Sequence, residues 1–188
     1  MQFGVRVVGV EQAMQRLAEV GRKVDPVLRG ALNTTATKTR TERYVKGLTG
    51  SIKAARVRRA LKIKRANSRY MNARIIPSSA GILVLNYQTW GFDQIDATRG
   101  RIWVRGVNGR KVAAGFVNPS SAQKLPLSTR SSKTRGAKAY NYKRALQLAQ
   151  GPSAAYWFKQ LTDSQTINWV NAYLQQEFAK RLRKELSK

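Results

Sequence analysis

The sequence predicts an α+β fold, a small mixed or antiparallel sheet packed by long helices, in one domain spanning residues 1–188. Three observations lead there. Apolar residues recur at helical spacing near both ends of the chain. Short β-branched runs, punctuated by Gly, Pro, Ser and Asn, fill its middle. With 188 residues, 42% of them hydrophobic, the chain is large enough to bury a core.

The chain opens on a Val-rich stretch, Gln2 to Val8, in which Phe3, Val5 and Val7 alternate as in a strand. Val10, Met14, Leu17 and Val20 then fall at helical spacing, and Gly21 stands where that helix would stop. Asp25-Pro26 supplies an N-cap and a first-turn proline for a second helix, running to about Lys46 and ending before Gly47. Its face carries Leu28, Leu32 and Ala36. The run Asn33 to Thr39 has poor helix propensity, so this helix depends on tertiary or subunit contacts. Ser51 is a cap for a third helix, about Ile52 to Arg65. Helical steps put Ala54, Val57, Ala60 and Leu61 on one arc, and Arg56, Arg58, Arg59, Lys62 and Arg65 over most of the rest.

Ala73 to Ile76 and Gly81 to Leu85 flank Pro77-Ser78-Ser79-Ala80, a hairpin signal. Arg101 to Arg105 and Lys111 to Val117 flank a loop holding Asn108-Gly109, the preferred chemistry of a tight turn. In the first of these strands Arg101, Trp103 and Arg105 share a face. That face is either simply the polar side of an amphipathic strand or an Arg/Trp surface able to stack on a base. From about 118 to 139 the chain is rich in Pro, Ser, Lys and Arg and has no acid. It is a basic arm or loop, with Arg130, Lys133, Arg135 and Lys138 among its cations, either mobile or ordered by a neighbour or nucleic acid. Tyr140 to Leu148 reads as a strand, Gly151-Pro152 as a break, and Ser153 to Leu161 as a short helix. Asp163 or Ser164 caps the final helix, whose Ile167, Val170, Leu174, Phe178 and Leu182 make the strongest periodic stripe in the chain.

Charge bounds the function. Thirty-six Lys and Arg stand against nine Asp and Glu, a net charge of +27. A surface of that kind calls for an anionic partner, either phosphate backbones or acidic proteins. No acid occurs between Arg43 and Phe92, so the cations of the third helix have none nearby in sequence. They form either a solvated face or a docking face. The candidate contact residues for DNA or another anionic partner are Arg56, Arg58, Arg59, Lys62, Arg65, Arg130, Lys133, Arg135 and Lys138.

There is no Cys and no His, which removes thiol chemistry, zinc ribbons, and the commonest general base and metal ligand. Asp93 and Asp96 are the only acids close in sequence. They are either a sparse Mg²⁺ or acid/base pair or ordinary turn carboxylates. No catalytic residue, metal site or cofactor is assigned, and an enzyme is not expected. The N-terminal residues lack the pattern of a secretion signal, and the longest apolar runs are too short to cross a bilayer, so no membrane partner is expected either.

Several stretches occur in an order that resembles the minor tail protein Z, or tail-completion, family of long-tailed phages. These are Gly9-Val10-Glu11-Gln12-Ala13, Leu17, Pro26, Ala31-Leu32-Asn33 and Arg56-Val57-Arg58-Arg59-Ala60-Leu61-Lys62. Ala73-Arg74-Ile75, Gly115-Phe116-Val117 and Gln150-Gly151-Pro152-Ser153 follow. The resemblance implies a fold like that of tail-terminator and head–tail connector proteins. It also implies a virion protein at the head-proximal end of the tail, in a homo-oligomeric, hexameric ring. Its neighbours would be tail-terminator or tail-tube and head-connector proteins, with genomic DNA a further contact. The alternative that the residues leave open is a free, sequence-independent DNA- or RNA-binding protein.

Overall fold

The computed structural model describes residues 7–19, 23–132 and 141–187. The fold is α+β, and every strand pairing is antiparallel. The chain forms two compact units, crossing between them at Gly47/Leu48, Ala60/Leu61, Pro77/Ser78 and Gln160/Leu161.

The first unit is mainly helical. Helix α1 (Val10–Glu19) buries Ala13 and Leu17. Helix α2 (Asp25–Thr39) begins at Asp25 itself, with Val24 at the N-cap and Pro26 in the first turn. Asp25 therefore complements the helix dipole from within the helix and does not cap it. The chain continues as a π-helical stretch, Arg40–Val45, and a last α-helical turn, α3 (Lys46–Thr49). The expected stop before Gly47 is not there. Gly47 lies inside the helix, where a Cβ would stand 2.9 Å from Leu161 Cδ1, closer than side chains pack. The widening follows threonines that bond back into the helix: Thr37 and Thr41 donate their hydroxyls to the carbonyls of Asn33 and Thr37. Such back-bonding competes with the backbone ladder.

The Thr-rich helix is stabilised by tertiary packing, as its weak propensity requires. Its Val27 and Ala31 join Ala13, Leu17, Leu174 and Phe178 in one buried cluster. The last two come from α6 (Ser164–Leu186), whose N-cap Asp163 accepts a hydrogen bond from the Thr166 amide at 2.7 Å. The helix at Val10 and the capped final helix thus form as predicted, while Gln2 to Arg6, Val20 and Gly21 lie outside the described residues.

The third predicted helix is corrected. Only α4 (Ala54–Ala60), in the second unit, is helical. Leu61–Lys64 is instead a strand, β1, in the first unit, paired with β2 (Arg74–Pro77). The sequence Leu61-Lys62-Ile63-Lys64 alternates with period two, which suits a strand with Leu61 inside and both lysines out. The predicted hairpin around Pro77 to Ala80 is corrected with it. The strand before that turn pairs back to β1, and the one after it, β3 (Gly81–Leu83), pairs with the distant β9 (Gln150–Ser153). Gly151-Pro152 is therefore part of a strand and not a break.

The second unit is built on a five-stranded meander: β4 (Trp90–Gln94), β5 (Gly100–Gly106), β6 (Gly109–Val117), β7 (Leu127–Ser132) and β8 (Asn141–Leu148). The Asn108-Gly109 hairpin is present. Only Gly109 is left-handed, at φ 96°, so Asn108 does not adopt the positive φ of a two-residue primed turn. Ile102, Val104, Ala113 and Val117 are buried from this sheet, as is Trp157 of α5 (Ala154–Leu161). The Tyr87 hydroxyl accepts a hydrogen bond from Trp157 Nε1 at 3.0 Å and donates one to the Pro152 carbonyl at 2.6 Å. The expectation of an unstructured arm over 118–139 is corrected for Leu127–Ser132, which pairs with β8. A partner strand supplies there the backbone hydrogen bonds that composition alone does not foretell.

Candidate functional site: two basic surfaces

The predicted contact residues are distributed over three elements. Arg56, Arg58 and Arg59 are exposed on α4 of the second unit. Lys62 and Arg65 are exposed at β1 and the loop after it, in the first unit. Arg130 lies on β7, and Lys133, Arg135 and Lys138 lie outside the described residues.

Around Lys62 and Arg65 the fold assembles a basic β-ribbon. Register sets Lys62 opposite Ile76 and Lys64 opposite Arg74 on one face, and all four are exposed. The other face carries buried Leu61 and half-buried Ile63 and Ile75. The loop between the strands adds exposed Arg65, Arg69 and Tyr70, with the Lys64 ammonium 5.9 Å from the Tyr70 ring centre. Five cations and no acid lie between Leu61 and Pro77.

This ribbon is held in place. Asn67 Oδ1 accepts from the amides of Arg69 and Tyr70 at 3.0 and 2.8 Å, closing the tip on itself. At the base, Asn33 of α2 exchanges two hydrogen bonds with the Ala66 backbone, at 2.8 and 3.1 Å. Arg40 Nε donates to the Leu61 carbonyl at 2.8 Å. Both ends of β1 are thus fastened to the long helix, so the cations sit on a backed scaffold that loses little freedom on binding. Sequence reading found Lys62 and Arg65 but missed Lys64, Arg69 and Arg74. The two-residue alternation from Leu61 was the signal available.

A second basic surface is the outer face of the meander. Alternation in β5 turns Arg101, Trp103 and Arg105 to one side while Ile102 and Val104 are buried. The Trp103 ring lies over Gly91 of the neighbouring strand, with carbon atoms of its six-membered ring where a Cβ on that residue would stand. The Arg110 guanidinium sits 4.1 Å from the centre of the Trp103 ring and is held by both oxygens of Asp93, at 2.7 and 2.8 Å. The indole Nε1 is buried without a hydrogen-bond acceptor.

Asp93 and Asp96 each go to a different task. Asp93 fixes Arg110, while Asp96 accepts from the Thr98 and Arg99 amides at 2.9 and 2.7 Å and from Arg99 Nε at 2.8 Å. The Thr98 amide bond, with Arg99 beside it, lowers the Asp96 carboxyl to a pKa of about 2. These are the roles of an ion-pair partner and a turn carboxylate. All of the other acids of the chain belong to the first unit, so the cationic surface of the second has no further carboxylate of its own.

Among the described residues no three His, Cys, Asp or Glu gather in a metal-binding group, and no helix is long and apolar enough to cross a membrane. No protein-family model matches the chain, and neither a curated protein nor a solved structure is significantly similar to it.

Proposed function

We propose that this chain is a structural virion protein, a tail-completion subunit at the head-proximal end of a phage tail, which acts by contact and not by catalysis. It works as a homo-oligomeric, hexameric ring supporting head–tail joining, with tail-terminator or tail-tube proteins, head-connector proteins and genomic DNA as neighbours. It assembles in the host cytoplasm. The observation that carries the contact reading is the acid-free ribbon: five cations on a scaffold fastened by Asn33 and Arg40, with no internal carboxylate in the ribbon to neutralise them. Exposed cations on a fastened backbone suit sequence-independent phosphate contacts. The tail-completion reading itself rests on the ordered resemblance along the sequence.

Deleting the gene from its phage tests the proposal. Heads and tails should both form while infectious particles fail to appear, and a plasmid copy should restore them. Normal plating of the deletion would refute it. The second reading, a free DNA- or RNA-binding protein, is favoured by one feature: a two-stranded ribbon is narrow enough to enter a DNA major groove. Native mass spectrometry of purified particles separates the two. A fixed copy number per particle supports the first reading, and absence from particles with tight DNA binding supports the second.

A further inference from the structure

The outer face of the meander differs in kind from the ribbon. Across β5 and β6, Trp103 pairs with Val112 and Arg101 with Phe116, on either side of a register shift; Phe116 pairs in turn with Leu127 and Leu127 with Leu148, so Leu146, two residues before Leu148, falls on the side of Arg101, Trp103 and Val112. Val112 is 59% exposed and Leu146 53% exposed, on a face that also presents exposed Arg101 and Arg105. We propose that this face docks an acidic protein surface that itself presents apolar side chains. The inference rests on the reading that the chain acts by contact, and it names the partner class for one surface.

Charge is the first argument. The acid that the register brings to this face is Asp93, which stands opposite Arg101 yet gives both carboxylate oxygens to Arg110. Arg101 and Arg105 thus look outward for carboxylates. A second copy of this chain does not provide them, because it carries the same +27 and few acids.

Chemistry is the second argument, and it separates protein from nucleic acid. Phosphate backbones offer nothing to Val112 or Leu146. A single strand would need an aromatic platform, but the Trp103 ring is taken on one side by Arg110 and lies against Gly91. Exposed Arg beside exposed aliphatic side chains is a combination that protein–protein interfaces use.

The test uses the full chain and four labelled probes in fluorescence anisotropy at physiological salt. These are polyglutamate, a random Glu/Tyr copolymer of matched charge, a 30-nucleotide single strand and a 30-base-pair duplex. The copolymer should bind more tightly than polyglutamate. The double variant Val112→Ser/Leu146→Ser, which keeps every charge, should weaken copolymer binding about tenfold and leave polyglutamate and both DNAs unchanged. Arg101→Ala/Arg105→Ala should weaken both polypeptides. All four positions are surface sites, and an unchanged melting temperature verifies the fold. The proposal is overturned if the serine variant binds the copolymer as the parent does, or if it loses DNA affinity to the same degree, which would make the face a nucleic-acid surface. No probe is a phage component, so a failed gene-deletion experiment and a failed docking experiment are distinguishable.

Discussion

Neutralising the ribbon is the perturbation that tests most directly the proposal that this protein holds an anion there. Replacing Lys62, Lys64, Arg65, Arg69 and Arg74 by Gln removes five exposed cations without touching the anchors Asn33 and Arg40 or the buried Leu61. Each Lys or Arg that neutralises a phosphate on duplex DNA contributes about 0.9 to the slope of log K against log salt. If all five meet phosphates, the slope should fall in magnitude by about 4.5. Over a threefold rise in salt, that share amounts to roughly a 140-fold difference in affinity. The assay is fluorescence anisotropy on a 30-base-pair duplex of arbitrary sequence, titrated at several salt concentrations. A control variant neutralises the same number of cations, Lys53, Lys124, Lys159, Lys180 and Lys184, all exposed and spread over other elements. The ribbon variant should flatten the slope far more than the scattered one, and changing the duplex sequence should leave the difference intact. Equal slopes for the two variants would show that the ribbon is no more than a share of the overall positive field, and the argument from its rigid backing would be wrong.

Three further outcomes follow from the packing and the hydrogen bonds. Tyr87→Phe leaves Trp157 Nε1 without its acceptor and the Pro152 carbonyl without its donor, so it should destabilise the protein by about 1–3 kcal/mol in urea unfolding; a neutral result would refute that pairing. Leu174→Ala opens a cavity in the cluster shared by α1, α2 and α6 and should cost about 2–5 kcal/mol in the same assay, and a loss well below that range would mean the helices pack elsewhere. Asp96, held down to a pKa of about 2 by the Thr98 amide and Arg99, stabilises its turn fully above the ordinary aspartate range and ceases to as pH falls through about 2. The Thr98 and Arg99 amide resonances should report that low midpoint, and titration at the ordinary value would contradict the geometry.

The sequence was legible where the signal is local. The stripe on α6 is periodic, and its Val170, Leu174 and Phe178 are buried as the spacing demands. Asp163 caps that helix because a short carboxylate three residues ahead of Thr166 reaches the free amide without any tertiary help. The β5–β6 hairpin is equally local, since Gly106 and Gly109 pair directly across the two residues of its turn. Long-range pairing was not legible. β3 finds β9 some 70 residues away, and nothing in Gly81-Ile82-Leu83 distinguishes that partner from the nearer one across Pro77. The basic ribbon was hidden for a different reason: Ala54, Val57, Ala60 and Leu61 satisfy a helical arc, so the helix period absorbed the first residue of β1. Only a strand partner at Arg74–Pro77 decides for the period of two. The π-helical stretch has no sequence signature beyond its threonines.

The two basic surfaces should respond to ionic strength in opposite proportion, and this follows from what stands beside the charges. On the ribbon the cations dominate, and their attraction to phosphate is a counterion-release term that salt erodes steeply. For the partner proposed on the meander, Arg101 and Arg105 would steer and orient, while exposed Val112 and Leu146 would contribute an apolar term that salt does not screen. A partner bound through the sheet should therefore persist at salt concentrations that strip DNA from the ribbon. A single net charge of +27 conceals this difference, because the charge count is blind to whether a cation's neighbour is another cation, as in Lys64 beside Arg74, or an exposed aliphatic side chain, as on the outer sheet.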